Sequence, residues 1–200
     1  ELKKIFARGV DESINGFTIK RKTIFMGKWI KWGGQYESFH QPLFRKGCGF
    51  CEDRLYDQHY YVEGNKMYIN KPIIDVVSDS ITRFIERHNK WATLEAIEQL
   101  TSEKRKNMIQ PNLFGTKLEQ KRYYRNFYNK FPLFLRSILL FVYRYFLKLG
   151  FLDGKEGLIW HLLQGFWYRF LVDAKIYEIE KWARINNKSV EEIIKDFMSV

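Results

Sequence analysis

The densest concentration of reactive side chains is the run Cys51-Glu52-Asp53-Arg54-Leu55-Tyr56-Asp57-Gln58-His59. Three carboxylates, a guanidinium and an imidazole within nine residues are costly to place together unless they pair or serve a site. A carboxylate held against an apolar wall binds its proton more tightly and can take a proton from a hydroxyl. The competing reading is a surface loop with local ion pairs. Immediately upstream, Cys48-Gly49-Phe50-Cys51 is a CxxC. A structural zinc site needs four ligands, usually from a second such pair, and there is none. A thioredoxin-like role needs the motif after a strand in a βαβ unit, whereas Gly47 and Gly49 suggest a loop. Incidental or buried thiols are the expectation. His88 with Asn89 sits in a helical pattern. His40 and His161 stand alone and read as structural, and the six tryptophans are expected mostly in the core.

The elements that must position these groups fall into three zones. Residues 14–77 read as strands and loops. Phe17 and Ile19, then Ile24 and Met26, alternate with a change of register between the pairs. Lys66-Met67-Tyr68-Ile69-Asn70-Lys71 is a strand after the turn Glu63-Gly64-Asn65-Lys66, and Pro72 to Val77 continues extended. Residues 79–109 read as one long helix, capped by Ser78 or Asp79, with Ile81, Phe84, Ile85, His88, Trp91, Ala92, Leu94, Glu95 and Ile97 at helical spacings. Residues 117–200 are helical. Phe131-Pro132 opens a helix that Gly150 ends. Asp153-Gly154-Lys155-Glu156 and Ser189-Val190-Glu191-Glu192 look like capping-box starts. The fold class is therefore α/β, a small mixed or antiparallel sheet followed by a helical C-terminal region. The division expected is 1–110 and 111–200.

Composition narrows the function. The chain has 200 residues, 46% hydrophobic and 18% aromatic, so it is long enough for a core and is not a disordered polymer. Two cysteines exclude a disulfide-rich scaffold. The first twenty residues carry charges throughout and lack the apolar stretch of a signal peptide. The richest apolar stretch, Phe131 to Leu152, is broken by Arg136, Arg144, Lys148 and Gly150. Its longest uncharged run, Ser137 to Tyr143, is far short of the roughly 18–20 residues a span needs.

The net charge is +11, and most of it lies between Thr101 and Lys148, where eleven basic residues face two acidic ones. Tyr123, Tyr124, Phe127, Tyr128, Phe131, Phe134, Phe141, Tyr143, Tyr145 and Phe146 are interleaved with them. Basic stems with aromatic rings suit the headgroup level of an anionic leaflet. The alternative is a solvated basic face over a packed aromatic core. Nucleic acid is a third reading, but no nucleic-acid motif accompanies the charge and none is expected as a partner.

Four stretches, in order, resemble the second half of family 2 glycosyltransferases of bacterial surface-polysaccharide and lipopolysaccharide biosynthesis. They are Gly16-Phe17-Thr18-Ile19-Lys20-Arg21-Lys22 through Gly27 to Gly34; Leu43-Phe44-Arg45-Lys46-Gly47 running into Glu52 to His59; Ile85-Glu86-Arg87-His88-Asn89-Lys90-Trp91-Ala92 with Glu95-Ala96; and Gly150-Phe151-Leu152-Asp153-Gly154-Lys155-Glu156-Gly157 with Trp167-Tyr168-Arg169 and Lys175. The resemblance implies the second half of a GT-A fold and an inverting transfer of sugar from a nucleotide-sugar donor to a glycan or lipid-linked acceptor. Asp57 matches the family acid of an Asp-(Glu/Gln)-His motif and is implied as the general base. Glu52 and Arg54 precede it at the family spacing and would shape the acceptor side. Gln58 stands where Glu is common. His59 would contact the diphosphate or a metal, and His88 and Asn89 match the helix motif as further substrate contacts.

The resemblance also implies a divalent metal, magnesium or manganese, for the complete enzyme. The nucleotide-binding half and its metal-binding Asp-x-Asp are not in this chain, so no metal is expected on the chain alone. The expectation is a piece starting just past that motif, with little turnover by itself, peripheral on the cytoplasmic face of the cell membrane. The rival class is a non-enzymatic membrane- or nucleic-acid-binding module built on the same charge.

Overall fold

The computed structural model of the chain describes residues 1–34, 39–77, 80–101 and 109–198. It is a mixed α/β structure with a small sheet and a helical C-terminal region. The chain forms two compact units, residues 1–84 with 144–161 and residues 85–143 with 162–200.

The first unit is organised by β1 (Ile14–Phe25). One edge of β1 carries β2 (Lys28–Trp29) and β3 (Phe39–Phe44), both antiparallel; β6 (Asn65–Val76) runs parallel to it. The sheet is thus mixed. A separate hairpin pairs β4 (Gly49–Cys51) with β5 (Tyr60–Val62). Gly49 therefore belongs to a strand, where a loop was expected, because the thiol-bearing segment pairs with residues 60–62. The short α1 (Leu2–Ala7) covers one face, and Leu2 and Ile5 pack on Phe17, Ile19 and Ile69.

The register of β1 differs from the expected one. Thr23 and Phe25 are buried where Ile24 and Met26 were expected inside; Met26 sits at φ 49° in the turn to β2 and is exposed. Thr23 and Phe25 thus continue the odd-numbered set of Phe17 and Ile19, while Gly16 and Thr18 are buried as well. The register shift lies in the pairing instead, where Ile19 meets Ile69 but Arg21 meets Ile73. Pro72 lies in the extra stretch of β6, where a residue without an N–H costs no ladder bond.

A second core of this unit stacks Phe25, Phe84 and Trp160, with ring centroids 5.2–6.1 Å apart. Of the six tryptophans only Trp160 is buried, so the expectation of a mostly buried set fails; Trp32 and Trp182 are exposed. Residues 150–153 form a 3-10 turn leading into α5 (Gly154–Trp160). Asp153 makes no capping bond there. Its buried carboxylate accepts from the backbone N–H groups of Lys31 and Trp32, at 3.1 and 2.8 Å, and so ties the turn to the sheet.

The second unit is helical: most of α2 (Ile81–Thr101), then α3 (Lys117–Asn129), α4 (Leu135–Val142), α6 (Tyr168–Asn186) and α7 (Val190–Met198). The expected caps Ser78 and Asp79 lie outside the described residues, as does 102–108 of the expected helix. Ser80 Oγ accepts the Arg83 N–H at 3.4 Å. A capping box of Thr116 and Glu119 opens α3, and Ser189 with Glu192 makes the same exchange at α7. Helix α4 starts at Leu135, not at Phe131-Pro132, because Phe134 takes φ 69° and gives its N–H to Asp173 Oδ2 at 2.8 Å. Helix continues past α4 and before α6 as π-turns, residues 143–147 and 161–167. No helix among the described residues is long and apolar enough to cross a membrane.

Candidate functional site

The hairpin β4–β5 positions the polar run. Its eight-residue connection, residues 52–59, is closed at the base by the Glu52 N–H donating to His59 O at 3.0 Å. Glu52 is buried, and its Oε2 accepts the His59 N–H at 3.0 Å. The same oxygen lies 3.4 Å from His59 Nδ1. That nitrogen is also 2.8 Å from the carbonyl oxygen of Asp57. With two acceptors around it, Nδ1 is assigned the ring proton. Nε2 then stands 3.8 Å from Asp57 Oδ1.

Asp57 itself is at φ 54°, in the left-handed region that costs a non-glycine residue about 1 kcal/mol or more. Its side chain is 26% exposed. Gln58 closes the loop from the other side, donating from Nε2 to Arg54 O at 2.6 Å and accepting from the Cys51 thiol at 3.8 Å. The Arg54 N–H donates to Glu52 O at 3.1 Å. So Glu52, Arg54, Asp57, Gln58 and His59 form one knot on one hairpin. Cys48 and Cys51 are free thiols.

His88 and Asn89 belong to the second unit. His88 is buried edge-on between Trp91 and Tyr168, at centroid distances of 4.9 and 5.3 Å. Asn89 is exposed, and its carbonyl accepts the Thr93 hydroxyl at 3.3 Å.

A second polar cluster, given no role in the expected site, includes Tyr168, whose ring meets His88. Glu95, on the inward stripe of α2, is 1% exposed. Its Oε1 accepts from Arg169 at 2.6 Å and Arg125 at 3.2 Å, and its Oε2 from the Tyr168 hydroxyl at 2.6 Å. Next to this knot, Arg136 pairs with the buried Asp173. Burial pushes the Tyr128 hydroxyl up to about 12, against the opposing pull of the Arg169 charge. Three donors on one buried carboxylate tie α2, α3 and α6 together. The signal was present in the sequence: a carboxylate at helical spacing with His88, Trp91 and Ala92 must be buried, and a buried carboxylate needs cations.

No group of three or more His, Cys, Asp or Glu among the described residues could hold a metal ion. His59, the weak metal candidate, has Nδ1 engaged by Asp57 O and Glu52. Among the described residues no cluster assembles for the implied divalent metal, and no step below runs through one. An open hollow of about 570 Å³ at the C-terminal end of α6 is lined by Glu180, Ala183, Arg184, Asn187, Lys188 and Val190. None of the candidate residues lines it. Comparison with protein-family models, curated proteins and solved structures gives no match for this chain.

Proposed function

We propose that the chain is the acceptor-side half of an inverting glycosyltransferase of GT-A type, with Asp57 as the general base. The observation that carries this reading is the Asp57 carboxylate itself. It is held at a strained backbone angle, partly open to solvent, beside an imidazole whose other nitrogen is anchored. Strain of this kind persists where the surroundings over-determine it, and it concentrates at functional sites.

In the proposed reaction an acceptor hydroxyl approaches the Asp57 carboxylate and gives up its proton to it. The hydroxyl oxygen attacks the anomeric carbon of the donor sugar from the face opposite the leaving group. The bond from that carbon to the diphosphate oxygen breaks, and its electron pair leaves with the nucleoside diphosphate. Configuration at the carbon inverts. Glu52 and the loop hydrogen bonds hold Asp57 and His59 in place, and Gln58 and Arg54 fix the loop's width. The donor-binding half is supplied in this reading by sequence upstream of Glu1, and the acceptor is a glycan or lipid-linked hydroxyl.

The test uses the complete protein that contains this chain, assayed for sugar transfer from nucleotide-sugars. Asp57→Asn should lower kcat by about 10²–10⁴-fold, the usual contribution of a positioned base, while donor affinity stays unchanged. Retained transfer in Asp57→Asn sinks the assignment of the base. Absence of transfer from every nucleotide-sugar sinks the class.

A further inference from the structure

Helix α4 is built inside out. Leu135, Ile138, Leu139 and Val142 recur at i, i+3, i+4 and i+7, the spacing of a core-facing stripe. All four are instead 41–46% exposed. The residues that α4 buries are Arg136 and Ser137. Chemistry fixes this orientation. Arg136 donates from Nε to Asp173 Oδ1 at 2.7 Å, from Nη2 to Gln99 Oε1 at 3.1 Å and from Nη1 to Asn129 Oδ1 at 3.3 Å. The Ser137 hydroxyl donates to Phe134 O at 2.6 Å. Turning the helix to hide its aliphatic stripe would pull the guanidinium out and leave Asp173 buried without its cation.

The segment before α4 shares the character. Lys121, Tyr124 and Phe127 on α3 are exposed, followed by Lys130 and Phe131, with the rings of Phe127 and Phe131 in contact at 5.2 Å.

We propose that α4 lies flat in the surface of an anionic bilayer. Leu135, Ile138, Leu139 and Val142 reach the acyl boundary, and Lys121, Lys130 and the aromatic rings sit among the phosphates. Three observations select this occupant. The run Ser137 to Tyr143 carries no charge, which suits hydrocarbon, and α4 is too short to span. Lysine stems and aromatic rings suit headgroups. A second copy is disfavoured because each chain carries +11, and the basic residues concentrate in sequence between Thr101 and Lys148, the stretch that contains α4. The inference stands independently of sugar transfer, since it uses none of residues 52–59.

The experiment is sedimentation of the chain with vesicles of phosphatidylcholine containing phosphatidylglycerol, and with phosphatidylcholine alone, at low and high salt. Binding is expected on the mixed vesicles at low salt and much less on the neutral ones. Ile138→Glu with Leu139→Glu should weaken it by about tenfold or more, with an unchanged circular dichroism spectrum, because both side chains already face solvent. Lys121→Glu with Lys130→Glu should weaken binding to the mixed vesicles by about tenfold and leave the neutral ones unaffected. Failure to bind mixed vesicles, or unchanged binding in the Ile138/Leu139 variant, overturns the proposal. So does equal binding to both vesicle types. A dimer in solution that the Ile138/Leu139 variant splits, without vesicle binding, assigns the stripe to a second copy and also overturns it.

Discussion

Replacing Asp173 tests what holds α4 with its polar side inward. Asp173 is 1% exposed, and each carboxylate oxygen has a donor: Arg136 Nε at 2.7 Å on Oδ1 and the Phe134 N–H at 2.8 Å on Oδ2. Arg136 is itself 3% exposed. Asp173→Ala therefore leaves a buried guanidinium facing the neutral amides of Gln99 and Asn129 and the ring of Tyr128, with its Asp173 counter-charge removed. Removing one partner of a buried pair costs about 3–5 kcal/mol. The orphaned Phe134 N–H adds about 1 kcal/mol. Asp173→Asn keeps an acceptor for Phe134 and should cost less than the alanine. Arg136→Met combined with Asp173→Leu leaves no charge behind, and should cost less than Asp173→Ala alone, even though it changes two residues. The assay is urea unfolding followed at the helical ellipticity band, with the double-mutant cycle giving the coupling. A cost below about 1 kcal/mol for Asp173→Ala, the range of a solvent-exposed pair, would refute the reasoning. So would a double variant less stable than the single alanine, because the penalty would then not be an uncompensated charge.

Four further outcomes follow from the same structure. His161 is fully buried, and burial, reinforced by the Arg144 charge, lowers its pKa from 6.5 to about 4. The unfolded chain therefore binds the extra proton between pH 6.5 and 4, so stability is complete above 6.5 and falls by up to about 3 kcal/mol on acidification through that window; a flat His161-dependent profile in urea melts from pH 7 to 4 would contradict this. Gly33 has φ +71°, and a Cβ there would lie 2.1 Å from His161 Cε1. Gly33→Ala should cost more than about 2 kcal/mol, whereas Gly27→Ala, at φ +77° with open space around it, should cost about 1; equal costs by thermal melting would dismiss the clash. Glu95→Gln strips Arg125 and Arg169 of their shared anion and should destabilise the helical unit by about 3 kcal/mol in urea; a neutral result would mean the guanidinium groups are solvated without it. Thr116→Ala removes the acceptor for the Glu119 N–H and should cost about 1 kcal/mol, read from the urea midpoint.

The sheet and the long helix were legible because their signals are local. A run such as residues 17–25 is rich in β-branched and aromatic side chains, and any sheet will take it up. Which face of β1 goes inside was less legible. Ile24 and Met26 are more apolar than Thr23 and Phe25 taken as a pair, but the turn at Met26-Gly27 needs left-handed angles at both positions, and that puts Met26 outside. The start at Asp153 misled for a related reason. An acid before a helix normally bonds the first-turn N–H groups, but here two unpaired N–H groups at Lys31 and Trp32 compete for it and win. Partners distant in sequence leave no local trace. In the polar loop, residue types showed that Glu52, Asp57 and His59 belong together. They did not show that Glu52 would be buried while Asp57 stays accessible.

The same limit explains α4. Periodicity reports that a helix has an apolar stripe and a polar one, but it does not report which of them faces the protein. That choice is made by whatever the polar stripe can find. On most helices a lone arginine finds only water, and the apolar side turns inward. Arg136 finds Asp173, Gln99 and Asn129, supplied by α6, α2 and the end of α3. Three neighbouring elements thus offer a guanidinium a complete shell, and the aliphatic side is released outward. In the sequence Asp173 closes the apolar run Phe170-Leu171-Val172. A charged residue that breaks an apolar run on one helix and a charged residue of opposite sign at the centre of another are better read as one ion pair than as two interruptions. When such a pair is buried, the helix that carries it has its outward face chosen for it, and the apolar surface left outside is the part that needs a partner.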